Sequence, residues 1–218
     1  MLIGFAWARG GPSAFLACAD WSGLGARVRS RPPSHRLWSR GRATGAGVRR
    51  IGRRGPEPVS YLAECKLVSF PVAIYKVLRT VAERIRLVIL ADNELQTLSG
   101  KFMTTFGHLR ELRLEGNCLH GLPDEVGTLQ HLQAIDLSRN QFQDFPERLT
   151  ALQALETINL EENEIVDVPV EKLAAMASLK SVNLRRNPLN AEVRAVARPL
   201  LSFDLLLSPE GARGDAAP

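Results

Sequence analysis

The chain has 218 residues, is 45% hydrophobic and is formally +5 at neutral pH. That apolar share is enough for a buried core. No apolar run approaches the roughly 20 residues a membrane-spanning helix needs, and Cys18, Cys65 and Cys118 are too scattered for a disulfide framework or a CxxC zinc site. The charge is unevenly placed: residues 1–61 hold eleven arginines, no lysine and only Asp20 and Glu57 as acids, so they carry +9 and the remainder −4.

Residues 1–58 are rich in Gly, Arg, Ser and Pro and show neither a strand nor a helix period. They are expected to form a disordered arm, because such a composition cannot bury enough surface to offset the entropy of ordering. Three functional readings compete with that one. A signal peptide is poorly supported, since no basic residue precedes the apolar start and Gly10, Gly11 and Pro12 interrupt it. The acid-poor, Arg-rich bias fits a mitochondrial transit peptide better, although no clean amphipathic helix runs through it. The cluster Arg49, Arg50, Arg53 and Arg54 would attract nucleic acid or an anionic membrane in a salt-dependent manner; such partners are expected only through this arm.

From residue 59 the chain repeats one pattern. Leu109–Pro123 (LRELRLEGNCLHGLP) returns at Leu132–Pro146 (LQAIDLSRNQFQDFP) and at Leu155–Pro169 (LETINLEENEIVDVP), with related stretches at Ile85–Leu98 and Leu179–Leu189. Asn93, Asn117, Asn140, Asn163 and Asn187 recur every 23 or 24 residues, a period that belongs to stacked repeats. The first unit, LAECKLVSFP from Leu62, has Cys65 in the asparagine position and Ser60 where an inward aliphatic belongs. With Pro56 and Pro58 just upstream it reads as truncated and without a regular strand, its buried thiol serving the turn in place of the amide.

Val72, Ile74, Val77, Leu78 and Val81 suit a short convex-side helix, and the 28 residues from Cys65 to Asn93 leave room for one extra turn. In later units Phe102, Met103 and Phe106, then Val126 and Leu129, Leu149 and Leu152, and Leu173 and Met176 should face inward. Their recurrence at one phase marks them as core and not as a cofactor pocket. Asn190 is placed to cap a helix from Ala191, and Val193, Val196, Leu200, Leu201 and Phe203 could then cover the open end of the array. The tail from Ser208 is expected to fray. The organisation is thus an arm at 1–58, one truncated and five full repeats at 59–190, and a capping helix with a tail at 191–218.

Each unit contains a short strand whose side chains alternate between core and surface. The asparagine amide, both donor and acceptor, suits the turn after the strand. With its leucine spacing and its Leu-Pro, Phe-Pro or Val-Pro closures, Leu62–Leu189 resembles the leucine-rich-repeat family. The resemblance implies an α/β solenoid, with short parallel strands on a concave face, helical or irregular convex segments, and a role in protein binding.

The exposed concave positions read down in columns. One holds Leu87, Glu111, Ala134, Thr157 and Ser181; the next holds Ile89, Arg113, Asp136, Asn159 and Asn183. Past the strand come Ala91, Glu115, Ser138, Glu161 and Arg185, and then Asp92, Gly116, Arg139, Glu162 and Arg186. Stacking would pair Arg113 with Asp136, Arg139 with Glu162, and Glu161 with Arg185. The set suits either a self-paired solvated surface or a polar docking face with an acidic middle and a basic end, on which Leu87 and Ile89 add an outward apolar anchor.

Chemistry finds little support. His108 and His131 stack in neighbouring units without further ligands, Cys118 has no base in phase, and no Gly-rich phosphate loop precedes a helix. The reading is therefore a noncatalytic, monomeric interaction module without cofactor, metal or small-molecule substrate, binding a protein on its concave face. The scattered cysteines and the absence of an Asn-x-Ser/Thr sequon favour the cytoplasm. A regulatory subunit or adaptor in a phosphatase or small-GTPase pathway is the alternative within the same class, and a scaffold tethered by the arm is the alternative from another.

Overall fold

The computed structural model describes residues 59–196 and 202–209. The arm, Leu200, Leu201 and the tail beyond residue 209 lie outside the described residues. Seven three-residue strands form one parallel sheet in chain order: β1 (Val59–Tyr61), β2 (Leu87–Ile89), β3 (Glu111–Arg113), β4 (Ala134–Asp136), β5 (Thr157–Asn159), β6 (Ser181–Asn183) and β7 (Asp204–Leu206). Return segments are short: α1 (Val72–Leu78), α2 (Gly100–Thr105), α3 (Val170–Ala174), α4 (Ala191–Val196) and 3-10 turns at Ala82–Arg84, Asp124–Thr128 and Glu147–Ala151. The unit that holds α1 also holds the first 3-10 turn, which uses its longer interval.

The inward residues make one continuous core. Val88, Leu112, Ile135, Ile158 and Val182 are in register along the strands and almost wholly buried. Phe102, Met103, Phe106, Val126, Leu129, Leu149, Leu152, Leu173 and Met176 close the core from the convex side. Phe102 and Phe106 join Phe70 and Tyr75 in an aromatic cluster, with Phe70–Phe102 centroids 5.0 Å apart and nearly edge-on. Tyr75 also lies beside Ser99, Oη to Oγ 3.2 Å, and under the Lys101 ammonium. Val72 does not join this core; its side chain is 67% exposed.

Each asparagine of the column ties two turns together. Asn140 Oδ1 accepts the Leu119 N–H at 3.0 Å, while its Nδ2 donates to the carbonyls of Leu114 in the unit before and of Leu137 and Ser138 in its own. Asn117, Asn163 and Asn187 repeat the arrangement. The side chain thereby satisfies turn groups that stacking has taken out of water. In the first unit much of this work falls to Asn93; Cys65 is disulfide-bonded, so it has no thiol to offer the turn, contrary to the sequence expectation. Asn93 Oδ1 accepts the N–H of both Cys65 and Leu67, and its Nδ2 reaches Leu62 O.

Both ends of the array differ from the sequence expectation. The first unit does have a strand, in register with β2 through Val59↔Leu87, Ser60↔Val88 and Tyr61↔Ile89. A parallel ladder is made by the backbone, which serine supplies as well as valine, and a proline before the first residue of an edge strand removes no ladder bond. At the other end the sheet runs on past residue 190 into β7, paired with β6. Ser208 is part of that last turn, its Oγ accepting the Arg186 N–H at 2.6 Å. Asn190 caps α4 by accepting the Val193 N–H at 2.8 Å. Val193 and Phe203 are buried against the core. Arg194 of α4 donates from Nε to Leu189 O and from Nη1 to Ser208 O, so it holds the seventh turn to the cap.

Candidate protein interface

The side chains at the first and third positions of β2 to β6 point away from the core, onto the concave face. The register sets Leu87, Glu111, Ala134, Thr157 and Ser181 in one column and Ile89, Arg113, Asp136, Asn159 and Asn183 in the next. The turns that follow β2 to β6 pass through the left-handed region. Asp92, Arg139, Glu162 and Arg186 have φ between +52° and +60°, and Gly116 has φ +68°. These residues project a third line of charge along the rim.

The ion pairs formed are not the three expected from stacking. Arg113 turns to Glu111 on its own strand, Nε to Oε1 2.6 Å, because two residues along a strand share a face. Asp136 is too short to compete, and its carboxylate is occupied: Oδ1 accepts the N–H and hydroxyl of Ser138, and Oδ2 accepts Asn159 Nδ2 at 2.9 Å. Arg139 reaches past Gly116 to Asp92 at 3.0 Å, where a glycine Cβ would collide with the Asp92 carboxylate. Glu162 is left to Arg186, at 3.0 Å. Glu161 accepts Asn183 Nδ2 at 2.9 Å, and Arg185 has no ion-pair partner among the described residues.

Three expected contact residues are less available than their outward direction suggested. Asn159 and Asn183 are buried, at 6% and 4% exposure, and their amides are used within the sheet face: each Oδ1 accepts an N–H two residues on, from Glu161 and Arg185. Ile89 is only 9% exposed, flanked at strand spacing by β1 and β3, so it is no protruding anchor; Leu87 beside it is half-buried. The free surface lies instead in Glu111, Arg113, Asp136 and Glu161, partly exposed, and Arg139, Glu162, Arg185 and Arg186, exposed.

Glu115, which the sequence places in the exposed column just past the strand, is the most perturbed group on the face. Its Oε2 is buried without a hydrogen-bond partner among the described residues. Burial pushes its carboxyl above the ordinary value of 4.5; the Asp136 and Asp92 charges add to the rise, and its own backbone N–H and Arg113 oppose it. Only the neighbouring unit's Asp136 could have signalled this from sequence, and the burial itself could not. His108 and His131 stack with centroids 5.5 Å apart, and among the described residues no group of three His, Cys, Asp or Glu is arranged to hold a metal ion.

A single-layer parallel sheet of short strands, an asparagine ladder at its turns and a charged open face define a repeat solenoid built to present surface. The chain belongs to the leucine-rich-repeat family: the model of the leucine-rich repeat region matches residues 62–197. It is 66% identical over 178 residues to mouse leucine-rich repeat-containing protein 20, covering 79% of this chain and 97% of that one. To the human protein of that name it is 69% identical over 175 residues, 78% of this chain and 95% of that one. Among solved structures, an internalin from Listeria monocytogenes superposes with a TM-score of 0.51 at 17% identity. The match covers 68% of this chain and 43% of the internalin, and it shows the fold alone. Repeats of this family serve as protein–protein interaction modules and are generally noncatalytic.

Proposed function

We propose that this chain binds a protein partner on its concave face as a noncatalytic module of the cytoplasm, and that the partner offers a basic segment to the middle of the face. The observation that carries this is an imbalance of charge. Arg113 and Arg139 are committed to Glu111 and Asp92, so Asp136 and Glu115 between them have no cationic partner among the described residues. Arg185, equally unpaired toward the other end, gives the face a polarity that fixes which way a complementary segment lies.

Proximity labelling in cells compares the full chain, a Glu115→Gln/Asp136→Asn variant and a convex-side Glu171→Gln control. The expected result is a group of neighbours lost only with the concave pair. Identical neighbours for all three chains would overturn the proposal.

A further inference from the structure

We propose that the arginine-rich stretch Arg49–Arg54 of this same chain docks on the acidic half of its own concave face, so that the protein carries a built-in competitor for that surface. The inference rests on reading the concave face as a binding surface. The chain enters the array at Val59 on the edge strand β1, with β3 second and β4 third along the sheet. At about 4.8 Å per strand these lie about 10 and 14 Å from the entry. Arg54 and Arg53 stand five and six residues before Val59. Asp136 and Glu115 also sit about 7 and 13 Å further along the strand direction, so each is about 16 Å away; Arg50 and Arg49, nine and ten residues before Val59, reach roughly 30–33 Å at about 3.3 Å per residue, far enough to double back over both strands.

The charges are complementary where that reach ends. Between residues 46 and 58 stand Arg49, Arg50, Arg53 and Arg54 against the single acid Glu57. Over β3 and β4 stand Asp136, held only by neutral donors, and Glu115, whose Oε2 lacks any donor among the described residues. A guanidinium supplies five N–H donors and keeps its charge at any physiological pH. Because the segment is tethered, its local concentration is on the order of millimolar, so weak contacts suffice to occupy the face and yield to a better-matched partner.

Carboxylate footprinting tests this on the full chain: carbodiimide with glycine ethyl ester, read residue by residue by mass spectrometry. The comparison is with the full chain carrying R49S, R50S, R53S and R54S. Labelling of Asp92, Glu111, Glu115 and Asp136 should rise several-fold in the variant, and likewise in the unsubstituted chain at about 1 M salt, where charges are screened within a few ångströms. The exposed Glu171 and Glu192 should not change. Equal rates in the two chains would overturn arm docking. If rates are equal while the Glu115→Gln/Asp136→Asn exchange still loses neighbours in cells, the binding face stands and the internal competitor falls. If rates differ but no neighbour is lost, the arm docks and the protein-partner reading falls.

Discussion

The Asp92 carboxylate and the Arg139 guanidinium meet at 3.0 Å although a whole unit, that of β3, lies between theirs, because Gly116 between them has no side chain. The contact joins the second and fourth strand units across a notch in the rim. Both side chains are about half exposed, so the pair itself contributes only about 0–1 kcal/mol.

Gly116→Ala should therefore cost more through the backbone than through the ion pair. A non-glycine residue at φ +68° is strained by about 1–2 kcal/mol, and its Cβ would also displace Asp92. Urea denaturation should show this loss, with part of it recovered when Asp92→Ala is added. A single exchange as stable as the original chain would contradict the account.

Asn140→Ala removes an acceptor from Leu119 N–H and a donor from three carbonyls in the middle of the array. Buried groups left unsatisfied cost about 1–3 kcal/mol, and the drop in denaturation midpoint measures it. Asn140→Asp should rescue little, because a carboxylate accepts but does not donate.

Stability should depend on acid in an unusual direction near Glu115. Its folded carboxyl is raised above 4.5, so between 4.5 and the raised value the native state holds a proton that the unfolded chain has released. Stability from this group therefore rises as pH falls through the raised value toward 4.5, and the penalty is fully present at neutral pH. Glu115→Gln should stabilise the chain at pH 7 and flatten that part of the profile of midpoint against pH. A steeper profile in the variant would refute the assignment.

Arg194→Ala should loosen one end of the molecule without unfolding it. The side chain holds Leu189 O at 3.4 Å and Ser208 O at 3.3 Å, and stability in a repeat array is a sum of neighbouring terms. Hydrogen exchange should accelerate at the Asp204 and Leu184 amides, which pair β6 with β7, and stay unchanged at Leu114 and Leu137. Uniform acceleration along the array would show the contact to be global.

The column order was legible because a parallel ladder with a 23- or 24-residue period leaves no choice of neighbour: Glu111 must lie beside Ala134 and Arg113 beside Asp136. The pairing of charges was not legible. It turned on reach: Arg113 finds Glu111 two residues back, Ser138 claims Asp136, and the missing side chain of Gly116 opens a path that skips a unit. The seventh strand carried a signal that was missed, since Leu205 and Leu207 stand 23 residues after Val182 and Leu184. Glu210 in the asparagine position hid it, and Arg194 does part of the asparagine's work there, donating to Ser208 O as Asn187 donates to Arg185 O.

The sequence by itself determined the repeat, its period, its inward residues and the family of the fold, because stacking copies a one-dimensional pattern directly into space. Only the tertiary structure decided which outward residues are free. Exposure depends on what neighbouring units place alongside: it buried Asn159, Asn183 and Ile89, committed Arg113 and Arg139, and left Glu115 with a carboxylate oxygen that no described residue meets.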